Sequence, residues 1–393
     1  MKLSLAGLFT LVLWWSSPAL ALENGVARTP PMGWNSWNKF RCNVSEVLLR
    51  EMADAMVNTG MRDAGYVYLN VDDCWHGARD ASGNIQPDKK RFPSGMAALA
   101  NYVHAKGLRL GLYSDAGAKT CAKRPGSLGF EEQDAAKYAS WGVDYLKYDW
   151  CNSEGLKAEE AYTKMRDALQ KTGRKMVFSI CEWGTTQPWN WAAPVGNLWR
   201  TSSDIGLCWD KSKCERAWET GIMNILDLQV GLEAYAGPGR WNDPDVLQVG
   251  NGMSQTEDRA HFSMWSILAA PLLAGNDLRS MTAETKAILT NRDVIEVNQD
   301  PLGVQGRKLR DDGMEEVWAK PLSRGASAVA FLNRGEASVR MQVRFAELGM
   351  NGPQPVRDLW EKKELGSFKE AFSAEVPPHG VVMVRVGKGK PAP

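Results

Sequence analysis

Net charge is the first thing this chain lacks: 47 lysines and arginines stand against 46 aspartates and glutamates, a formal charge of +1. That balance removes the electrostatic case for nucleic acid or an anionic membrane as a partner. Histidine is scarce, at 4 residues, and the 7 cysteines include no CxxC pair, so no zinc centre is expected and no cofactor or metal is called for. No GxGxxG follows the first strand-like run, which argues against a nucleotide-binding doubly wound sheet. Beyond residue 21 no stretch is long and apolar enough to span a bilayer, and no internal repeat is visible.

What is present begins with a leader. Lys2 precedes the apolar run Leu3 to Trp15, Ser16-Ser17-Pro18 breaks it, and Ala19-Leu20-Ala21 fits a small-x-small cleavage site, so residues 1–21 read as a signal peptide and the mature chain as secreted, extracellular or periplasmic. Export permits disulfides. Seven is an odd number, so at least one thiol is left over; Cys208 and Cys214 are close enough in sequence to close a small loop, and spacing alone does not pair the others. The 17 tryptophans are unusual, and indoles near strand ends suit stacking on the apolar faces of sugar rings.

From Met32 to Gly275 strand-like and helix-like segments alternate. Strands are expected at Met32–Trp37, Tyr66–Val71, Leu108–Tyr113, Val143–Asp149, Lys175–Cys181, Asn197–Asp204, Tyr235–Asp243 and Ala269–Gly275. Helical spacing fills Ser45–Asn58, Met96–Ala105, Phe130–Trp141, Ala158–Lys171, Trp209–Leu226 and Asp258–Leu268. About eight strands over roughly 280 residues is the pattern of a (β/α)8 TIM barrel, placed at 22–303. After Gly303 short β-rich runs and turn signals replace the helices, so 304–390 is expected to be a small C-terminal antiparallel β-sandwich.

Acidic and aromatic residues cluster where the strands should end: Trp34 and Trp37, Asp72 and Asp73, Tyr113 and Asp115, Lys147 and Asp149, Glu182 and Trp183, Arg200 and Asp204, Asp243 and Asp245. A barrel gathers those ends at one mouth. In the strand Tyr145-Leu146-Lys147-Tyr148-Asp149, alternation puts Tyr145, Lys147 and Asp149 on one face. Glycoside hydrolysis needs one ionised and one protonated carboxyl. Lys147 beside Asp149 would hold the first charged, and burial beside another carboxylate would keep a proton on Asp204.

The motifs Arg28-Thr29-Pro30-Pro31-Met32-Gly33-Trp34-Asn35-Ser36-Trp37, Asp72-Asp73-Cys74-Trp75, Gly111-Leu112-Tyr113-Ser114-Asp115, Lys147-Tyr148-Asp149-Trp150-Cys151, Cys181-Glu182-Trp183-Gly184, Trp199-Arg200 to Asp204 and Gly237-Pro238-Gly239-Arg240-Trp241-Asn242-Asp243-Pro244-Asp245 together resemble the α-galactosidase/α-N-acetylgalactosaminidase family, glycoside hydrolase family 27. The resemblance is strong from Leu22 to about Gly303 and looser beyond.

The resemblance implies retaining hydrolysis with Asp149 as nucleophile and Asp204 as acid/base, their carboxyls about 5–5.5 Å apart. It implies that Asp72 and Asp73 hold the galactose O4 and O6, Lys147 O3 and O4, Arg200 the O2 side, and Asp245 the O2 edge or the loop around it, with Trp37 and Tyr113 as floor and Trp183 and Cys181 as wall. It implies the bridges Cys42–Cys74 and Cys121–Cys151, with Cys181 free. The partner implied is an α-galactoside substrate, and the chain is expected to be a monomer or homodimer. Bulky Glu182-Trp183 favours galactose over N-acetylgalactosamine, and the intact Asp72-Asp73 pair disfavours β-L-arabinopyranosides. Val246 departs from the methionine of animal members. An inert sugar-binding protein would be expected to lack a carboxylate that this chain retains, and a metal centre on Asp72, Asp73 and Asp243 suits those groups less well than sugar hydroxyls do.

Overall fold

The computed structural model describes residues 21–388. The leader call on 1–21 therefore lies, but for Ala21, outside the described residues, as does the end of the 304–390 call. In chain order the first unit contains β1 (Met32–Asn35), α1 (Trp37–Phe40), α2 (Glu46–Asn58), β2 (Tyr68–Asn70), α3 (Gly95–Ala105), β3 (Arg109–Asp115), α4 (Glu131–Trp141), β4 (Tyr145–Asp149), α5 (Ala158–Lys171), β5 (Val177–Cys181), β6 (Leu198–Arg200), α6 (Ile222–Asp227), β7 (Trp241–Asp243), α7 (Gln255–Ile267), β8 (Leu272–Ala274), α8 (Ala283–Leu289) and α9 (Arg292–Asn298).

All eight strands are parallel, in the order β7-β6-β5-β4-β3-β2-β1-β8. The ring closes just past β7: Leu247 N–H donates to Leu273 O at 2.8 Å, and Gly275 N–H donates back to Leu247 O at 3.1 Å. This is the (β/α)8 barrel. Its helices start where local chemistry says they should. Ser45 caps α2 through Leu48 N–H, and Ser254 with Glu257 forms a capping box on α7. The buried stripe of α2, including Leu49, Met52, Ala53 and Met56, packs onto the strands. Inside the barrel Tyr68, Tyr145, Val177, Leu198, Trp241 and Ala269 form an apolar plug, with the Tyr68 and Tyr145 rings 5.5 Å apart. The mouth is thus floored by side chains rather than open to the far end.

One expected helix is mostly absent. Trp209–Leu226 is helical only in a single turn at Lys211–Lys213 and in α6, which begins at Ile222. The Cys208–Cys214 bridge and a parallel pairing of Ile205 with Thr220 fold the intervening residues into a compact loop instead. Long-range closure overrides local helical spacing here.

The second unit contains β9 (Arg307–Asp311), β10 (Glu315–Pro321), β11 (Ser327–Asn333), β12 (Val339–Arg344), β13 (Gln354–Asp358), β14 (Lys363–Phe368), β15 (Ala371–Val376) and β16 (Gly380–Val386). A sheet in the order β14-β13-β16-β11-β10-β9 faces the pair β12-β15. Alternation splits the large sheet cleanly. Val317, Val329, Phe331 and Val384 point into the sandwich core, whereas Trp318, Ala328, Ala330, Leu332 and Met383 join the core shared with the barrel. Lys320 is buried at this junction and donates to Val297 O (2.5 Å) and Asn298 O (3.3 Å), satisfying carbonyls at the end of α9. The two units therefore share one apolar seam against α7.

That seam should make them unfold together. Ala330→Asp would bury an unpaired carboxylate beside Trp318 and Met383, at a cost of about 3 kcal/mol or more. The expected result in a thermal scan is a single transition at lower Tm; a separate early transition with the main one unmoved would show that the sandwich unfolds on its own.

Candidate active site

The β4 row sets the geometry. Leu146 and Tyr148 point outward into the core beneath the helices, while Tyr145 joins the interior plug. Above it on the same row come Lys147 and then Asp149, both lining a cavity of about 250 Å³ at the carboxyl ends of the strands. Asp115, at the end of β3, is the direct neighbour of Asp149 across the sheet. The turn after Asp149 is clamped on both sides. Asp115 accepts from Cys151 N–H (3.0 Å) and Gly117 N–H (2.8 Å), and the Cys121–Cys151 bridge joins the two loops. Gly117 permits this approach, since a Cβ there would collide with the carbonyls of Cys151 and Asn152.

From β2 come Asp72 and Asp73. Asp72 accepts from Asn35 Nδ2 (2.8 Å) and Lys147 Nζ (2.9 Å). Asp73 accepts from Cys74 N–H (2.6 Å), Ala122 N–H (2.8 Å) and Thr120 Oγ1 (2.9 Å). From β6 comes Arg200, which pairs with Asp245 (2.9 Å) and Asp204 (3.2 Å). Asp245 in turn accepts from Ile205 N–H (2.9 Å), so it ties the end of β7 to the loop carrying Asp204. Cys74, Trp183 and Asp245 all have positive φ, at 78°, 59° and 84°, a backbone cost that tends to concentrate at functional sites.

Burial dominates the electrostatics. Asp149 and Asp115 are a buried pair, and loss of solvent followed by Asp115's exposure to the Asp149 charge pushes Asp115 well above the carboxylate range. Asp149 also rises through burial; Lys147 opposes that rise and Asp204 adds to it. Lys147 thus lowers the Asp149 pKa as expected, but burial, not anticipated for this group, raises it by more. Asp243 is pushed up to about 6, first by burial, with Arg200 opposing. Lys147 stays firmly protonated because Asp72 and its acidic neighbours outweigh burial. Asp204 is not buried as expected: its side chain is 41% exposed, and only a sugar seated in the pocket would desolvate it.

The cavity brings together Trp37, Asp72, Asp73, Tyr113, Lys147, Asp149, Trp183, Arg200, Asp204 and Asp245, along with Val246. Cys181 is the exception. It is free and fully buried, beside Asp149 on β5, but the Arg200 guanidinium, drawn across by Asp245 and Asp204, donates to its sulfur at 3.7 Å and covers it. Glu182 also turns away, accepting from Thr185 Oγ1 and Thr186 N–H, so the bulk at that wall is Trp183 alone. The other cysteines form Cys42–Cys74, Cys121–Cys151 and Cys208–Cys214. Donor atoms of Asp115, Cys121, Asp149 and Cys151 lie within 4.8 Å of one another, but both sulfurs are oxidised to a bridge, and the remaining carboxylates are a poor metal set. Sequence reasoning left out Asn35, Arg41 and Trp218, which also line the cavity. Asn35 sits inside a quoted motif and could have been found; the other two depend on loop folding.

These shifts bear on stability. The Asp149 carboxyl ionises near 3.9 in the unfolded chain but only at about 6 when folded. The folded state thus loses stability as pH rises through that window. Asp149→Asn never ionises, so its Tm should match the parent near pH 4 and exceed it by a few degrees at pH 7.5. Equal Tm values at both pH values in differential scanning fluorimetry would contradict the burial argument.

Comparison with known proteins bears on the whole architecture. The family description "Alpha galactosidase A" matches residues 29–300, and "Alpha galactosidase C-terminal beta sandwich domain" matches residues 312–386. α-Galactosidase A of Cellvibrio japonicus (strain Ueda107) is 53% identical over 378 residues, covering 92% of each chain. α-Galactosidase of Oryza sativa subsp. japonica is 51% identical over 368 residues, 92% of this chain and 86% of that one. The crystal structure of α-galactosidase I from Mortierella vinacea superposes with a TM-score of 0.89 at 37% identity, over 93% of this chain and 98% of that one. With barrel, sandwich and carboxylate-lined mouth all matched along nearly its full length, the chain belongs to the α-galactosidase family of glycoside hydrolases, family 27.

Proposed function

We propose that this protein is a secreted, retaining α-galactosidase that removes terminal non-reducing α-D-galactose from oligosaccharides, galactomannan side chains or glycolipids. The observation that carries the reading is that Asp149, at the end of β4, and Asp204, on the loop after β6, line one cavity whose other walls are polar side chains and aromatic rings. The catalytic unit is taken as 22–303 and the sandwich as 304–390, supported by β9 beginning at Arg307. Export is supported by three disulfides; among the described residues no helix is long and apolar enough to cross a membrane.

In the first step an Asp149 oxygen attacks the anomeric carbon as the bond to the leaving oxygen breaks, and Asp204 gives that oxygen its proton. Water, deprotonated by Asp204, then attacks the same carbon from the face just vacated and releases Asp149. The Lys147 charge supports Asp149 in its ionised form. Asp72, already oriented by Lys147 and Asn35, and Asp73, held by the 120–122 loop, accept from the galactose O4 and O6 hydroxyls. Lys147 reaches O3 and O4, Arg200 and Asp245 the O2 side, and Trp37 and Tyr113 the apolar face of the ring. Trp183 fills the wall facing C2, where an acetamido group would need room.

Four measurements test this. Proton NMR should show α-galactose as the first-formed product; β-galactose appearing first would exclude retention. Asp149→Asn should lower kcat on p-nitrophenyl α-galactoside by on the order of 10⁴-fold or more. The parent's kcat/KM should climb between pH 4 and 7 with an apparent pKa near 6, since Asp149 must be ionised to attack. Activity on the α-N-acetylgalactosaminide should be lower by on the order of 10²; parity would overturn the role given to Trp183.

A further inference from the structure

We propose that Trp218 is the acceptor platform of this pocket, the indole against which the sugar ring attached to galactose stacks while the bond is cut. The proposal rests on Asp204 being the acid/base, and it adds a specificity-determining residue on the leaving-group side. Trp218 lines the same cavity as Asp149 and Asp204, yet it is 50% exposed. Among the described residues no other tryptophan falls in the exposed class. A lone exposed indole needs no explanation, but one at the mouth of a catalytic pocket offers a flat apolar surface where a second ring must lie.

Direction follows from the chemistry. The glycosidic oxygen takes its proton from Asp204, so the ring bearing that oxygen leaves on the Asp204 side. Trp218 belongs to the same loop as that acid. Thr220 N–H donates to Asp204 O at 2.9 Å, Gly206 N–H donates to Thr220 O at 3.0 Å, and the Ser203 and Thr220 hydroxyls are 2.5 Å apart. The loop between them is stapled by Cys208–Cys214. The indole is also held in place: the Arg216 guanidinium lies 5.4 Å from its ring centre and pairs with Glu219 at 3.2 Å. Glu219 reaches Arg41 at 3.8 Å, and Arg41 lies 5.2 Å from the Trp37 ring. This chain of contacts runs around the rim and sets Arg41 and Arg216 against Glu219 and Asp204. A rim with its charges so paired and an exposed aromatic ring fits an uncharged sugar, its C–H face on the indole and its hydroxyls toward the guanidiniums.

The test compares two substrates that both need the Asp204 proton and differ in whether the leaving group has a ring: melibiose and methyl α-D-galactopyranoside. In Trp218→Ala the melibiose-to-methyl galactoside ratio of kcat/KM should fall about tenfold, chiefly through KM, and Trp218→Phe should restore most of it. Equal losses on both substrates would mean that the substitution merely disturbs the Asp204 loop, and would overturn the proposal; so would an unchanged ratio. A parent enzyme inactive on both would instead refute the catalytic reading on which the proposal rests.

Discussion

The constraint on which the site depends is a surplus of carboxyl groups in a dry place. The barrel gathers Asp72, Asp73, Asp115, Asp149, Asp243 and Asp245 at one mouth, all out of water, against the partly buried Lys147 and the buried Arg200. That many negative charges cannot coexist so close together at low dielectric. The two cations go to the ends of the arrangement, Lys147 to Asp72 and Arg200 to Asp245. Asp73, Asp115, Asp149 and Asp243 are left to hold protons more tightly than free carboxylates do. Backbone N–H groups ease the strain at Asp73 and Asp115 but do not reverse it.

The division of labour proposed for Asp149 and Asp204 follows from this arrangement. A nucleophile needs to ionise at the working pH, and of the buried pair it is Asp149 that has Lys147 on its own strand, two residues away. Asp115 has only backbone donors and no cation beside it. The group proposed as acid sits at the edge of this surplus, paired with Arg200 but half open to solvent on a loop, so on that proposal a bound substrate would supply the desolvation a proton donor requires. The site is destabilising for the fold at neutral pH and useful for that reason.

Much of this was legible in the sequence, and the part that was legible has a common cause. Period-two alternation in β4 places Lys147 and Asp149 inward, and a closed ring of parallel strands brings all the strand ends to one mouth; neither depends on loops. The caps at Ser45 and Ser254 are local too. What was not legible is set by long-range closure. The 209–221 stretch has helical spacing but is folded back by a six-residue disulfide loop and the Ile205–Thr220 pairing. Cys181 occupies an inward position, yet Arg200 lies across it because two aspartates pull the guanidinium there. Asp115 appears in sequence as one more acidic strand end; only the sheet register makes it the neighbour of Asp149.

The same division says where this scaffold can change its preferences. Any substitution among the buried charges alters the number of protons the mouth must hold, and so disturbs every carboxyl at once. The rim is organised differently. Its elements are held by short-range devices (a small disulfide loop, paired threonine and serine hydroxyls, a guanidinium over an indole) that meet the buried charges at few points, the Asp204 pair with Arg200 and the Ile205 N–H bond to Asp245. A rim loop can therefore be rebuilt for a different leaving group while the proton distribution at the floor stays as it is. On the proposed reading the floor selects the sugar that is cut and the rim selects what it is cut from.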